Sequence, residues 1–257
     1  MNENIIGMLA ASTNLDPTDI KYEIDMINFS SELFNALNKT SIKAYLFGGT
    51  ALNKGFFKDK QRLSRDFDFE IENPRDFKKT AINFESCIIK AGYPNIRINE
   101  SKRSHTIYVA LAESESELKI DLVPQLNAVK PIRLTLHSIL DYSGVPTKTV
   151  ETLSYPFEYL LAYKLNALHR RMLYKDIYDS YTALQMPLDK KKLIHYVTMF
   201  MKPRSMFEEI SYNIENDEYD KKDELAYGKL VQEKYKVPMK NMLYEIRSRL
   251  SQYYGQK

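Results

Sequence analysis

The fold of this chain is decided by a stretch that begins Gly48-Gly49-Thr50-Ala51-Leu52 and ends Arg62-Leu63-Ser64-Arg65-Asp66-Phe67-Asp68-Phe69. Four apolar residues, 44–47, precede it, and their length and aromatic content predict a buried strand. The two glycines let the backbone turn sharply. If residues 50–54 form the first turn of a helix, the free amides of this corner suit a phosphate. An ordinary turn is the competing interpretation, because no Walker or dinucleotide-binding glycine pattern is present.

Acidic and apolar residues alternate at the end of this stretch. In a strand over residues 66–71, the period of two puts Asp66, Asp68 and Glu70 on one face and the apolar residues on the other. Carboxylates crowded on one face repel each other. A divalent cation relieves that repulsion, and Mg²⁺ prefers carboxylate and phosphate oxygens. A solvated polar strand face is the alternative for an isolated Asp-x-Asp.

Two further features favour the metal interpretation. Five cations against one acid lie between the glycines and the aspartates, which suits a site for polyphosphate: Lys54, Lys58, Lys60, Arg62 and Arg65 against Asp59. Residues 117–124 alternate so that Asp121 points away from the core. A third carboxylate on a second strand can complete a two-metal site.

These motifs resemble the polymerase-beta-like nucleotidyltransferase superfamily. The fuller string, Gly-Gly-Thr-Ala-Leu followed by Arg62-x-Ser64-x-Asp66-x-Asp68-Phe69, resembles the AbiEii-type (abortive infection, MenT-like) nucleotidyltransferase toxins. The resemblance covers about residues 40 to 190.

Composition sets broad limits on the class of protein. The 257 residues are 44% hydrophobic and 28% charged, which is typical of a globular protein. A net charge of +3 permits an RNA partner without demanding one. The single cysteine, Cys87, excludes an intrachain disulfide and suits a reducing cytoplasm. No signal peptide is evident and no run approaches the length that spans a bilayer, so we expect a cytoplasmic location and no membrane partner.

The order of predicted elements indicates two domains. Helices at residues 20–37 and 76–90 alternate with strands up to about residue 127, which predicts an α+β nucleotidyltransferase core domain over residues 1–130. Proline and glycine punctuate the following stretch. Beyond Tyr155 nearly everything is predicted to be helical, so residues 131–257 are expected to form an all-helical C-terminal domain.

Two cations fall on the apolar face of the helix predicted over residues 157–172. Lys164 and Arg171 lie within the arc of its leucines. Either their stems run along the core edge with the charges in water, or the cations meet the phosphates of a nucleotide. Asp176 and Asp179, three residues apart, would be neighbours on the next helix, where helix capping is the alternative explanation.

The resemblance implies roles for these residues. Lys164, then Arg170 or Arg171, then Asp176 resembles the family's second block, with Asp176 preferred to Asp179 as the functional aspartate. Asp66, Asp68 and Asp121 would bind two Mg²⁺ ions and, with Lys164 and Asp176, form the catalytic set. The expected nucleotide-binding residues are Gly48, Gly49, Thr50, Arg62, Ser64, Arg171 and Asp179.

The resemblance also implies a biological role. It predicts a toxin that transfers a nucleotide from an NTP to the 3′ end of tRNA, with an antitoxin encoded nearby. Two other interpretations remain open: a nucleotidyltransferase that modifies a small molecule or a protein, and a nucleotide-binding module without catalysis.

Overall fold

The computed structural model describes residues 3–72, 74–101, 104–112, 114–216, 219 and 221–254. The chain divides into two compact units, the first ending at Tyr155 and the second beginning at Pro156. The first unit combines strands and helices and the second is helical, which confirms the predicted α+β class with a helical C-terminal part.

A single mixed sheet forms the centre of the first unit. Among the described residues it has seven strands in the order β3-β4-β5-β2-β1-β7-β6. The strands are β1 (Ala44–Phe47), β2 (Asp66–Ile71), β3 (Ile96–Glu100), β4 (His105–Ala110), β5 (Glu117–Pro124), β6 (Ile132–Leu136) and β7 (Val150–Ser154). The pairs β2–β5 and β1–β7 are parallel and the other pairs are antiparallel.

Helices bury the apolar face of β2. The helices of this unit are α1 (Glu3–Thr13), α2 (Pro17–Leu37), α3 (Gly48–Phe56) and α4 (Phe77–Lys90). Phe69 meets Phe34 of α2 and Phe84 of α4 at ring-centroid distances of 5.9 and 5.3 Å. Phe67 and Phe69 are fully buried. The acidic residues that alternate with these phenylalanines along β2 therefore point to the opposite face of the sheet.

The start of α2 shows how the local sequence sets a helix boundary. The Asp16 carboxylate accepts a hydrogen bond of 2.8 Å from the Thr18 amide, and Pro17 occupies the first helical position. The side-chain cap satisfies a free amide of the first turn. Proline at the first position has no amide hydrogen to satisfy and already has the helical φ angle. Residues 17–37 therefore form the helix that covers the sheet.

The division of the chain falls later than the expected boundary near residue 130. Residues 132–136 and 150–154 form β6 and β7, and β7 pairs with the central strand β1. Gly55 of α3 lies so close to Leu134 that a Cβ atom there would come within 2.5 Å of the leucine side chain. Residues 131–155 thus belong to the first unit because they extend its sheet and pack against α3.

Six helices form the second unit within the described part of the chain: α5 (Phe157–Arg171), α6 (Tyr174–Leu184), α7 (Lys190–Val197), α8 (Pro203–Glu215), α9 (Lys221–Tyr227) and α10 (Met239–Tyr254). Their apolar faces form a common core that includes Leu165, Ile177 and Ile246, all fully buried. In the described ranges, no helix has the length and apolar character required to cross a membrane.

Candidate active site

A glycine brings the backbone against a carboxylate where β1 ends. Gly48 has φ +73°, a conformation that side chains other than glycine rarely adopt, and it begins α3 directly after Phe47. A Cβ atom at Gly48 would lie 2.3 Å from Oδ2 of Asp68. Because residue 48 is glycine, the corner between β1 and α3 leaves room for the Asp68 carboxylate. The Cβ atom of any other residue would fill that space.

The register of β2 and β5 brings the predicted aspartates to one face. Asp68 and Asp121 are directly paired across these parallel strands, and Asp66 lies two residues before Asp68 on the same face. Neighbouring strands are about 4.8 Å apart. All three side chains are partly exposed, whereas the intervening phenylalanines are buried. The three carboxylates thus share one partly solvated face, which we call the acid face.

Hydroxyl groups orient the carboxylates of the acid face. Thr50 Oγ1 and Ser64 Oγ are 2.7 Å apart, and Thr50 also donates to the carbonyl oxygen of Asp66. Ser64 Oγ lies 3.5 Å from Oδ1 of Asp66, and Thr106 Oγ1 donates to Oδ1 of Asp121 at 2.7 Å. Thr50 and Ser64 are buried. Both were predicted to contact the nucleotide, which stays a prediction; in the structure their hydroxyls contact each other and Asp66.

Lys119 is a member of this site that the sequence interpretation missed. Its ammonium nitrogen lies 2.5 Å from Oδ2 of Asp121. Burial lowers the pKa of Lys119, but the hydrogen bond to Asp121 and the charges of Asp121, Asp66 and Asp68 raise it above its ordinary value overall. The period of two could have identified Lys119, because it precedes Asp121 by two residues on the same strand.

Glu70, the next acid of β2 on this face, has a different environment. It is 5% exposed, and the Tyr155 hydroxyl donates to its Oε2 at 2.5 Å. Gln125 Nε2 in turn donates to the Tyr155 oxygen at 3.0 Å. Burial raises the pKa of Glu70, although the bond from Tyr155 opposes this shift. Glu70 is therefore bound into the core and does not extend the partly exposed acid face.

One cation of the predicted polyphosphate-binding loop is buried in the protein core. Lys54 lies on α3, and its ammonium group is 2.5 Å from Oε1 of Glu23, with both side chains almost completely buried. Ser138 Oγ donates to the same carboxylate oxygen at 2.8 Å. The expectation that Lys54 contributes to a phosphate-binding loop is therefore wrong, because its charge is already neutralised inside the protein.

The arginines of the same loop also have protein partners. Arg62 is 6% exposed, and its guanidinium donates to the carbonyl oxygen of Leu63 at 3.1 Å. Arg65 pairs with the buried Asp19 of α2. The binding role predicted for Arg62 stays a prediction, and in the structure this side chain braces the loop.

A buried ionic network joins α5 and α6 in the second unit. Lys164 Nζ lies 2.9 Å from Oδ1 of Asp176 and 3.1 Å from Oδ2 of Asp179, and both carboxylates are fully buried. Arg171 Nε donates to Oδ2 of Asp176 at 2.7 Å. Burial alone would raise the pKa of Asp176, but Lys164 and Arg171 outweigh it and lower this pKa to about 2. The lysine on the apolar arc thus has its charge in the core, and not in water.

The side chains of the acid face can be tested against Mg²⁺. Within the described ranges, no three His, Cys, Asp or Glu side chains are grouped so that they could hold a metal ion. At Asp121, both oxygens already accept hydrogen bonds, from Thr106 and Lys119. The chemistry of the donor set nevertheless fits Mg²⁺, because carboxylate oxygens are its preferred ligands. Gly48 lets the Asp68 carboxylate lie against the backbone turn, and Lys119 contacts Oδ2 of Asp121.

Comparisons with known proteins give a family and a fold. A family model described as "Nucleotidyl transferase AbiEii toxin, Type IV TA system" matches residues 33–255. The structure resembles the nucleotidyltransferase toxin MenT4 (Rv2826c) of Mycobacterium tuberculosis H37Rv, with TM-score 0.69, 13% identity and coverage of 100% of this chain and 91% of that one. A second match is the STING-associated CdnE c-di-GMP synthase of Capnocytophaga granulosa, with TM-score 0.33, 10% identity and coverage of 91% and 81%. A search among curated protein sequences finds no match.

Proposed function

Since the chain belongs to the AbiEii nucleotidyltransferase toxin family, we propose that its acid face transfers a nucleotidyl group from an NTP to a hydroxyl acceptor with the help of Mg²⁺. The amides of the first turn of α3, at Gly48 and Gly49, lack partners within the helix and are suited to hold the triphosphate. Asp66, Asp68 and Asp121 supply the carboxylates for the metal.

Each side chain of the acid face has a distinct task in this scheme. Asp66 and Asp68 stand beside the glycine corner and would hold the ion that carries the triphosphate. Asp121, across the strand pair from Asp68, would orient the acceptor hydroxyl for in-line attack on the α-phosphate. When bound, Mg²⁺ neutralises phosphate charge and makes the acceptor hydroxyl a better nucleophile. Thr50, Ser64 and Thr106 keep the carboxylates pointed at the site.

One observation carries the proposal. The Asp68 carboxylate lies directly against Gly48 and, at the same time, Asp68 is in register with Asp121 on the neighbouring strand. The positive φ angle at Gly48 lets the backbone approach this carboxylate closely, and such backbone features are concentrated at functional sites. This proximity supports the proposal, because nucleotidyl transfer needs phosphate donors and carboxylate ligands close together.

The second unit enters the proposal through residues that the family resemblance selects. From this resemblance we propose that Lys164, Arg171 and Asp176 take part in binding the phosphates of the nucleotide. Of the two cations, Arg171 keeps 49% of its side chain exposed, whereas Lys164 is buried between Asp176 and Asp179. We therefore assign charge neutralisation to Arg171 first and a positioning role to Lys164.

The proposed acceptor is the 3′ end of tRNA. This assignment rests on the toxin family, whose description also names a toxin–antitoxin system and so supports an antitoxin as partner. The net charge of +3 is compatible with an RNA acceptor. A small molecule or a protein side chain is the alternative acceptor, and both are outcomes of the same experiment.

The experiment incubates the full chain and Mg²⁺ with each α-³²P-labelled NTP in turn, together with purified tRNA, with lysate protein or with the small-molecule fraction of a lysate. We expect label on tRNA with the wild type and its loss in Asp66→Asn and Asp68→Asn, with thermal unfolding unchanged. Glu151→Gln, an exposed carboxylate on β7 of the same sheet, is the matched control and should retain transfer. Retained transfer in both aspartate variants would contradict the assignment of the site, and label on protein alone would contradict the tRNA acceptor.

A further inference from the structure

The acid face contains a positively charged side chain of the protein, Lys119. Lys119 pairs with Asp66 in the register of β2 and β5, and it precedes Asp121 by two residues. Its side chain therefore rises from the same face of the sheet as the three aspartates. The ammonium group contacts Oδ2 of Asp121 at 2.5 Å, while Thr106 holds Oδ1. Both oxygens of this proposed metal ligand are thus engaged by protein donors.

The position of Lys119 balances charge on the acid face. The ammonium group contacts the Asp121 carboxylate, and Lys119 lies opposite Asp66 in the strand register. Three like charges on adjacent positions would otherwise repel each other. Lys119 therefore does for the metal-free protein what a divalent cation would do for the metal-bound protein.

Exposure shows that this contact can be exchanged. The side chain of Lys119 is 44% exposed and that of Asp121 is 24% exposed. A lysine ammonium on a flexible four-carbon stem can rotate into water at little cost, and exposed ion pairs are weak. The buried pair of Lys164 and Asp176 in the second unit shows the opposite case, because its side chains are at most 5% exposed.

We propose that Lys119 is a positioning residue that occupies the cation position of Asp121 in the metal-free protein, and that a divalent cation must displace its ammonium group to bind there. Lysine and metal thus compete for one carboxylate. The inference rests on the proposed function, since it requires that the acid face binds a metal. It assigns to Lys119 the control of metal affinity, a property that does not follow from the aspartates alone.

The test measures Mn²⁺ binding to the full chain without nucleotide, from the electron paramagnetic resonance signal of free Mn²⁺. We expect Lys119→Met to bind Mn²⁺ about two- to fivefold more tightly, which corresponds to the loss of one weak competing ion pair. Lys119→Arg keeps the competing charge and should keep the wild-type affinity. Lys148→Met is the matched control, because Lys148 is similarly exposed and pairs with Glu32. The substitution changes the net charge by the same amount as Lys119→Met.

A second background separates the inference from the proposed function. If competition acts through Asp121, the gain from Lys119→Met disappears when Asp121→Asn is also present. Unchanged Mn²⁺ affinity in Lys119→Met, or a gain that persists with Asp121→Asn, would overturn the inference while the metal site stands. Failure of the wild type and of Lys119→Met to bind Mn²⁺ would instead overturn the metal step of the proposed function, and the inference with it. Thermal unfolding of each variant shows that the compared proteins are folded.

Discussion

Replacing Gly48 by alanine tests whether the glycine corner exists for the Asp68 carboxylate. The new Cβ atom would lie 2.3 Å from Oδ2 of Asp68, whereas ordinary contacts begin at 3.4 Å. Either the carboxylate or the backbone of the corner must therefore shift by about 1 Å. The pairing of β2 with β5 fixes the backbone of Asp68 opposite Asp121, so the Asp68 side chain is the part that moves most easily.

Two separate costs follow from this substitution. The φ angle of +73° costs a residue with a Cβ atom about 1–2 kcal/mol, which lowers the stability of the fold. Displacing a catalytic group by about 1 Å reduces the rate by about 100-fold. We therefore expect Gly48→Ala to lose about 100-fold in nucleotidyl transfer while the protein still folds with a modestly lower melting temperature.

Gly144→Ala is the matched control for backbone strain. Gly144 has φ +83°, and a Cβ atom there would meet no other atom within 4 Å. It should show a similar loss of stability and unchanged transfer. The assay is label transfer from an α-³²P NTP under single-turnover conditions, together with thermal unfolding. Transfer by Gly48→Ala within threefold of the wild type, or an equal loss in Gly144→Ala, would refute the argument that the corner serves Asp68.

Three further predictions concern stability. Lys164→Met leaves two buried carboxylates without their lysine and should cost about 3–5 kcal/mol in urea unfolding, whereas Arg171→Ala, half exposed, should cost much less; equal losses would contradict the network. Because the pKa of Asp176 is lowered to about 2 from 3.8, its stabilisation of about 2 kcal/mol is present above pH 4 and lost as the pH falls toward 2; urea unfolding of Lys164→Met, in which Arg171 still lowers this pKa, should show a smaller loss. Tyr155→Phe removes the donor to buried Glu70 and should cost about 1–3 kcal/mol by thermal unfolding, and an unchanged melting temperature would show that the bond contributes nothing.

Periodic signals were sufficient to predict the centre of the first unit from the sequence. The alternation of residues 66–71 and 117–124 gave the two strands and the face on which Asp66, Asp68 and Asp121 lie. These features depend on the local geometry of a strand, where side chains alternate whatever the tertiary context. The register that pairs Asp68 with Asp121 is a property of the folded sheet, and no local signal contains it.

The parts that sequence interpretation missed depend on partners distant in the chain. Lys54 looked like a phosphate-binding cation because its partner, Glu23, lies 31 residues earlier on another helix. The residues that form β6 and β7 were assigned to the helical domain, because β7 pairs with β1 across about 100 residues and β6 pairs with β7. The sequence offered two positions for the Lys164 ammonium group, in water or on a nucleotide's phosphates. The observed position, in a buried pair with Asp176 and Asp179, depends on how α5 packs on α6.

The two charged clusters of this chain differ in a way that bears on their roles. In the second unit, burial on every side makes the network of Lys164 with its aspartates costly to open, so it holds α5 and α6 in a fixed relation. On the acid face, backbone pairing fixes the carboxylates, while the neutralising charge sits on a half-exposed lysine that can leave. A site that must take up and release a polyphosphate with its metal needs ligands that stay and a counter-charge that moves. Under the proposed function, the fixed carboxylates and the half-exposed Lys119 would supply these two properties, whereas the buried pair of Lys164 with its aspartates supports the structure.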